Sequence, residues 1–433
     1  MPEHTQVTTA VQKRTLVSPI AIIGTLFFIF GFITWLNSVL VPYLKIACQL
    51  NNLESYLVAS AFYIAYLVMA APSAWVLKKF GFKNGMSVGL AIISVGALIF
   101  IPAALTRTYS IFLLGLFVQG TGLAILQTAS NPYVVVLGPL ESAAKRISIM
   151  GICNKVAGAI APIALGSVAL KNVDELKIKL TTLTASQKVP LLNELATRVI
   201  VPYICIVVAL VILAVLIYFS TLPEIDTEKE DETTALANTG KTSIFQFPHL
   251  LLGVATLFFY VGAEVLAGDT IISYGSSQHI LLSTAKFFAT GTMVAMVAGY
   301  FAGVALIPKY ISQQKALVVS AILGFIFSVL AVTTHGYVSV FFIALLGLAN
   351  SLMWPAIWPL ALNGLGKYTK IGSSLLIMGI AGGAVMPLVY GRLVDMYSAQ
   401  SAYCILLPIY LFILYYAALG HKIRKKVIHH PMP

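Results

Sequence analysis

Charge is what this chain has least of. Asp, Glu, Lys and Arg make up 10% of its 433 residues, against about 25% in a soluble globular domain. Apolar residues make up 59%, more than a water-soluble fold of this length could hide. Cysteine is also scarce. Cys48, Cys153, Cys205 and Cys404 are scattered in or beside apolar runs and form no CxxC. That excludes a disulfide framework and a thiolate metal site, and leaves four small hydrophobes. There is no HExxH, and no histidine falls at mid-depth of a long apolar run. A nucleophile–base pair or a hydrolytic metal centre therefore has no residues to be built from. The polar Met1–Val17 segment lacks the shape of a cleavable signal, and the apolar run after it is too long for one.

What the chain does have is twelve long apolar runs, each with roughly the 20 residues that cross a bilayer as a helix. The expected spans are 17–44, 54–77, 84–104, 109–138, 146–170 and 199–221, then 247–273, 284–306, 315–333, 337–363, 371–394 and 401–420. The fold class is an all-α integral membrane protein with two six-helix bundles, residues 1–222 and 247–433. Residues 223–246 are acidic, polar and poor in large apolar side chains, which predicts a mobile cytoplasmic linker. The 171–198 loop is long enough to carry short helices outside the membrane.

The net charge of +12 would suit a nucleic-acid partner if it were clustered, but its placement follows topology. Lys13, Arg14, Lys78, Lys79, Lys83, Lys145, Arg146, Lys309, Lys315, Lys367, Lys370, Lys422, Arg424, Lys425 and Lys426 fall in short connections on one side. The short connections on the other side hold Lys45, Arg107, Lys286 and Arg392. This positive-inside bias puts both termini in the cytoplasm. The long 171–198 loop, with five basic residues, carries little weight in that rule.

The two sixes echo each other. LLGL at 113–116 recurs at 345–348, in spans four and ten, and IMGI at 149–152 recurs at 377–380, in spans five and eleven. Paired repeats are the layout of a secondary transporter. Gly and Pro recur inside the spans, at Gly120, Gly122, Pro132, Gly158, Pro162, Gly262, Gly268, Pro355, Pro359, Gly382, Gly383 and Pro387. Small residues let membrane helices approach closely, and kinks are tolerated where neighbours satisfy the backbone.

The run FFIFGFITWLNSVLVPYLK (27–45), the segment LQTASNPY (126–133) and the stretch YVGAEV (260–265) resemble the fucose permease and glucose/galactose branch of the major facilitator superfamily. KKFGFKNG (78–85) resembles that superfamily's cytoplasmic loop motif, keeping Gly81 and the basic residues but not the acid. The resemblance covers nearly the whole chain. It implies a sugar:cation symporter with a central cavity, coupled to Na⁺ or H⁺, in the bacterial inner (plasma) membrane. It also exposes departures. Family members carry Asp where this chain has Ser38. Fucose permease carries Glu where this chain and the glucose/galactose branch have Gln127. A proton relay through those two positions is not available here. An uncoupled facilitator is the alternative.

A sugar site needs amides or carboxylates for bidentate hydrogen bonds and an aromatic face for the ring. Asn37, Gln127, Asn131 and Asn154 supply amides, with Gln127 and Asn131 on one helix face at i, i+4. Trp35, Trp354 and Trp358 supply platforms. By the resemblance, Asn154 corresponds to a cavity Asn of fucose permease and Trp354 to a cavity Tyr. The bland reading is that the amides are interhelical glue, about 0.6–2 kcal/mol each.

Lys155 lies about nine residues into span five, where an unpaired charge costs about 3 kcal/mol or more. It would replace a coupling cation, bind sugar hydroxyls or form a structural ion pair. Glu264 is the acid within the membrane best placed to contact sugar or carry the coupling charge. Counting along straight helices puts it about 12 Å above Lys155, which argues against a direct pair unless span seven breaks. Asp269 falls nearer the outer mouth and is expected to be solvated. Lys78, Lys79, Lys83, Lys145 and Arg146 are expected to hold the cytoplasmic ends of the bundles together, or simply to set topology and touch lipid phosphate. The expected partners are a small sugar and the lipid bilayer, with no nucleic acid, no cofactor beyond the coupling ion, no metal, and a monomeric chain.

Overall fold

The computed structural model describes residues 19–136, 143–220, 222, 243–307 and 309–423. Most of the expected linker, 223–242, lies outside the described residues, as do Lys13, Arg14, Arg424, Lys425 and Lys426. Among the described residues the protein is helical throughout. The first half contains α1 (Pro19–Trp35), α2 (Asn37–Ala47), α3 (Asn52–Thr106), α4 (Tyr109–Val136), α5 (Ala143–Ala169), α6 (Val173–Thr182), α7 (Ala185–Thr197) and α8 (Ile200–Tyr218). The second contains α9 (Pro248–Asp269), α10 (Ile271–Ser277), α11 (Leu282–Leu306), α12 (Gln313–Thr333), α13 (Gly336–Asn350), α14 (Met353–Leu362), α15 (Thr369–Met378), α16 (Gly382–Met396), α17 (Ala399–Ala402) and α18 (Leu406–Ala418). Eleven helical segments of the described residues are long and apolar enough to cross a membrane.

One of those eleven is α3, a continuous helical stretch of 55 residues. A straight helix of that length would run about 80 Å. Gly81 breaks it, at φ 78° and ψ 169°, a left-handed conformation that only glycine adopts without strain. The chain folds back there. A Cβ on Gly120 would fall 2.2 Å from the Phe62 carbonyl oxygen, and one on Gly122 would fall 2.5 Å from that of Gly89. Two α4 residues two positions apart thus touch α3 at points 27 residues apart in sequence, about 40 Å along a straight helix. Asn51 starts α3 with a capping box, its side chain accepting from Glu54 N while the Glu54 carboxylate accepts from Asn51 N.

Several expected spans are interrupted along their length. The first divides at Leu36 between α1 and α2, and the seventh at Thr270 between α9 and α10. The tenth divides between α13 and α14, and the eleventh passes through a 3₁₀ turn at Gly379–Ala381. Discontinuous helices at the midplane are where transporters build their sites. The 171–198 loop forms α6 and α7, short helices as the loop length predicted.

The two halves repeat one close packing. A Cβ on Gly31 of α1 would fall 1.8 Å from the Asn154 carbonyl oxygen of α5, and one on Gly382 of α16 would fall 1.8 Å from the Phe258 carbonyl oxygen of α9. Asn154 and Gly382 each lie five positions after the first residue of their IMGI.

The halves also lock together at one end. The Asp395 carboxylate of α16 accepts from Asn52 Nδ2 at 2.7 Å and from Leu53 N at 3.0 Å. Asp174 of α6 accepts from Leu282 N and Ser283 N at the start of α11. Lys45 donates to Asn52 Oδ1 beside the first of these. All of these groups lie on the side opposite Gly81.

Candidate functional site

The centre of the site is an ion pair. Lys155 Nζ of α5 lies 2.5 Å from Glu264 Oε1 of α9, and the residues are 8% and 9% exposed. This corrects the expectation from straight-helix counting. The described α5 begins at Ala143, so Lys155 is twelve residues in, about 18 Å. Glu264 is sixteen residues into α9, about 24 Å. The difference falls to about 6 Å, which the long lysine stem covers. Burial makes the pairing obligatory, because either charge alone would be desolvated without compensation.

Trp35 frames the pair. The Lys155 ammonium sits 4.6 Å from its ring centroid, a cation–π contact. The ring itself is wedged between two glycines. Cβ atoms there would fall 2.4 Å from Trp35 Cδ1 at Gly158 and 2.0 Å from Cζ3 at Gly268. Gly158 belongs to the first half and Gly268 to the second, so Trp35 joins them.

The second half supplies an aromatic wall. Tyr260, one turn before Glu264 on α9, faces its carboxylate. Trp354 tilts over Tyr260 at 6.5 Å and stacks on Trp358 at 5.4 Å with 23° between the planes. From the first half, Tyr63 stacks on Tyr66 at 6.5 Å, and Gly383 lies against the Tyr63 ring.

The amides differ in how much of their bonding is committed. Gln127 and Asn131 on α4 are partly exposed, with no hydrogen bond to other described residues. Asn154, also partly exposed, donates from Nδ2 to the Phe27 carbonyl at 3.3 Å. Asn37 is buried, and neither of its side-chain polar atoms has a partner among the described residues. Ser38 is buried and donates to the Trp35 carbonyl at 2.8 Å, so its hydroxyl ties down the α1–α2 break. Carboxamides with free donors and acceptors, an ion pair and an aromatic wall are the groups that can hydrogen-bond a polyol while a ring face stacks.

The basic loop residues make contacts within the first half. Lys83 Nζ donates to the Ser220 carbonyl at 2.7 Å, and Arg146 Nε donates to that of Val134 at 2.7 Å. Lys79 lies over Trp75 and Phe80. Lys78 is exposed, and the Lys145 side chain lies outside the described set. Among the described residues no group of three or more His, Cys, Asp or Glu could hold a metal ion.

Asp269 corrects another expectation. It is fully buried, not solvated, and neither carboxylate oxygen has a hydrogen-bond partner among the described residues. Its burial was hidden because it depends on packing between distant segments, such as Trp35 of α1 against the neighbouring Gly268. Tyr260 and Tyr63 were also passed over, and only the i, i+4 spacing of Tyr260 to Glu264 could have flagged the first.

The comparisons with known proteins fit this geometry. A sequence profile described as Major Facilitator Superfamily matches residues 23–378. The chain belongs to the major facilitator superfamily. It is a multi-pass membrane transporter, not an enzyme. The transporter is 35% identical over 404 residues to the glucose/galactose transporter of Brucella abortus biovar 1 (strain 9-941), covering 92% of each chain. It is 31% identical over 389 residues to the L-fucose-proton symporter of Escherichia coli (strain K12), covering 89% of this chain and 88% of the other. The crystal structure of the transporter FucP in the outward conformation superposes with a TM-score of 0.70 at 28% identity, covering 93% of this chain and 98% of that one.

Proposed function

We propose that this transporter moves a hexose-type sugar by alternating access, binding it between the two halves beside the Lys155–Glu264 pair. The observation that carries the reading is the site's composition: uncommitted amides on Gln127 and Asn131, an ion pair, and the Tyr260–Trp354–Trp358 wall. The sugars in the relatives' names support it. Both halves of α3 count as separate crossings, giving twelve, and the basic loops put both termini in the cytoplasm. On that orientation the Asn52–Asp395 lock closes the outer end, and the cycle rocks the halves about the site. The working unit is a single chain.

Transport is coupled to H⁺ or Na⁺ in this reading. One observation favours an uncoupled facilitator instead: Lys155 supplies Glu264 with a permanent cation. Counterflow of labelled D-glucose, D-galactose and L-fucose in proteoliposomes tests the substrate class. Exchange of at least one sugar is expected. Exchange of none overturns the sugar reading.

A further inference from the structure

We propose that Asp269 carries the coupling cation, a proton or Na⁺, of this transporter. The proposal rests on the sugar-transport reading and adds the ion's binding residue. Asp269 is fully buried, and among the described residues both of its carboxylate oxygens lack a partner. Native interiors do not leave a carboxylate in that condition. It is paired, protonated or holding an ion.

The surrounding charges specify what is missing. The charged and titratable groups facing Asp269 are Glu264 on its own helix, Lys155 from α5 and Tyr63 from α3. The adjoining parts of α11 and α16 present Thr292 and Gly383, neither of which titrates. Lys155 is already bonded to Glu264, so those two charges cancel. The carboxylate of Asp269 is the charge left over. One monovalent cation neutralises it.

The backbone adds to the attraction. Asp269 is the last residue of α9, a helix of 22 residues. The carbonyl end of a helix carries partial negative charge, and broken helices direct such ends at coupling ions in other transporters. Asn154 is partly exposed, Lys155 and Glu264 are 8% and 9% exposed, and Asp269 is 0% exposed, beneath the end where Asp395 holds Asn52. Parting the halves at that end opens Asp269 to solvent there, where it takes the cation. Closure buries the neutral group, and opening at the other end lets the cation leave.

The placement answers what Ser38 and Gln127 leave open. With neutral residues at those two positions, the coupling charge sits across the site in the second half.

The test uses the full-length protein in proteoliposomes with two readouts. Counterflow of labelled D-glucose, D-galactose and L-fucose needs no net cation movement. Accumulation is measured under a gradient of one pH unit and separately under a tenfold Na⁺ gradient. At one cation per sugar, the wild type is expected to accumulate about tenfold under one of the two, and that arm names the ion. Asp269→Asn is expected to keep counterflow and to accumulate nothing above equilibrium. Accumulation by Asp269→Asn at the wild-type level overturns the proposal, as does a wild type that merely equilibrates under both gradients. Absence of wild-type counterflow overturns the sugar reading, and this proposal with it. If Asp269→Asn also loses counterflow, Asp269→Glu decides. A shifted pH or Na⁺ dependence of accumulation supports the proposal, and an unshifted one at the wild-type ratio overturns it.

Discussion

The indole of Trp35 lies against Gly268 so closely that a single added carbon would fall 2.0 Å from its ring. The contact crosses from the first half of the chain to the second, and the same ring carries the Lys155 ammonium. Gly268→Ala is expected to destabilise the protein by about 1–3 kcal/mol through overpacking and to slow counterflow. Thermal unfolding in detergent checks the first effect. Gly268→Ala combined with Trp35→Phe should recover stability but not transport. Failure of the smaller ring to relieve the loss would mean that the clash lies elsewhere.

Removing one member of the buried pair should cost more than removing both. Lys155→Ala leaves the Glu264 carboxylate uncompensated and is expected to lose about 3–5 kcal/mol. The double variant Lys155→Met, Glu264→Leu should unfold nearer the wild-type temperature while abolishing sugar exchange. Equal destabilisation by the single and double variants would show that the pair does not act as a unit.

The lock between the halves makes a prediction about conformation. Asp395→Ala removes both hydrogen bonds to the start of α3. Charge-assisted bonds of this kind are worth about 1.5–3 kcal/mol each when shielded, and less at this exposed site. The population open at that end should rise about tenfold for each 1.4 kcal/mol lost. A cysteine at Ser60, buried between α3 and α16, reports it in a chain with the four native cysteines replaced. Its labelling by an impermeant thiol reagent should speed up in the Asp395→Ala background. An unchanged rate would mean that other contacts, such as Asp174 with α11, hold the closed end alone.

Gln127 separates binding from folding. Its amide has no hydrogen bond to another described residue to lose, so Gln127→Ala should leave stability within about 0.5 kcal/mol of wild type. The half-saturation for sugar should rise about tenfold, as expected for a lost hydrogen-bonded contact. Asn37→Ala should behave differently if Asn37 is part of the protein's packing, lowering stability and exchange together. A pronounced loss of stability in Gln127→Ala would reassign that amide to interhelical glue.

The sequence made the spans, the short basic loops and the small-residue packing legible, because length, hydropathy and charge are local quantities. It also marked Lys155 and Glu264 as out of place in a membrane. It missed that they meet, because counting residues from helix starts carries an error of several ångströms in each start. The division of span one at Leu36 was invisible too. Nothing in FITWLNS announces a break, and Ser38 stabilises it only by bonding to the Trp35 carbonyl. Asp269 was misjudged for a related reason. Its height in the bilayer can be counted, but the packing of Trp35 on the neighbouring Gly268 joins segments more than two hundred residues apart in sequence.

The IMGI echo places Lys155 and Gly383 at matching positions, each six residues after its first isoleucine. Both stand at the seam between the halves. Gly383 makes room for the ring of Tyr63 from the opposite half, whereas Lys155 reaches out of its own half to Glu264. If the halves descend from one duplicated ancestor, the two copies of that position have since parted ways. One became a socket and the other a plug, so a carrier with twofold ancestry engages its cargo from a lopsided cradle.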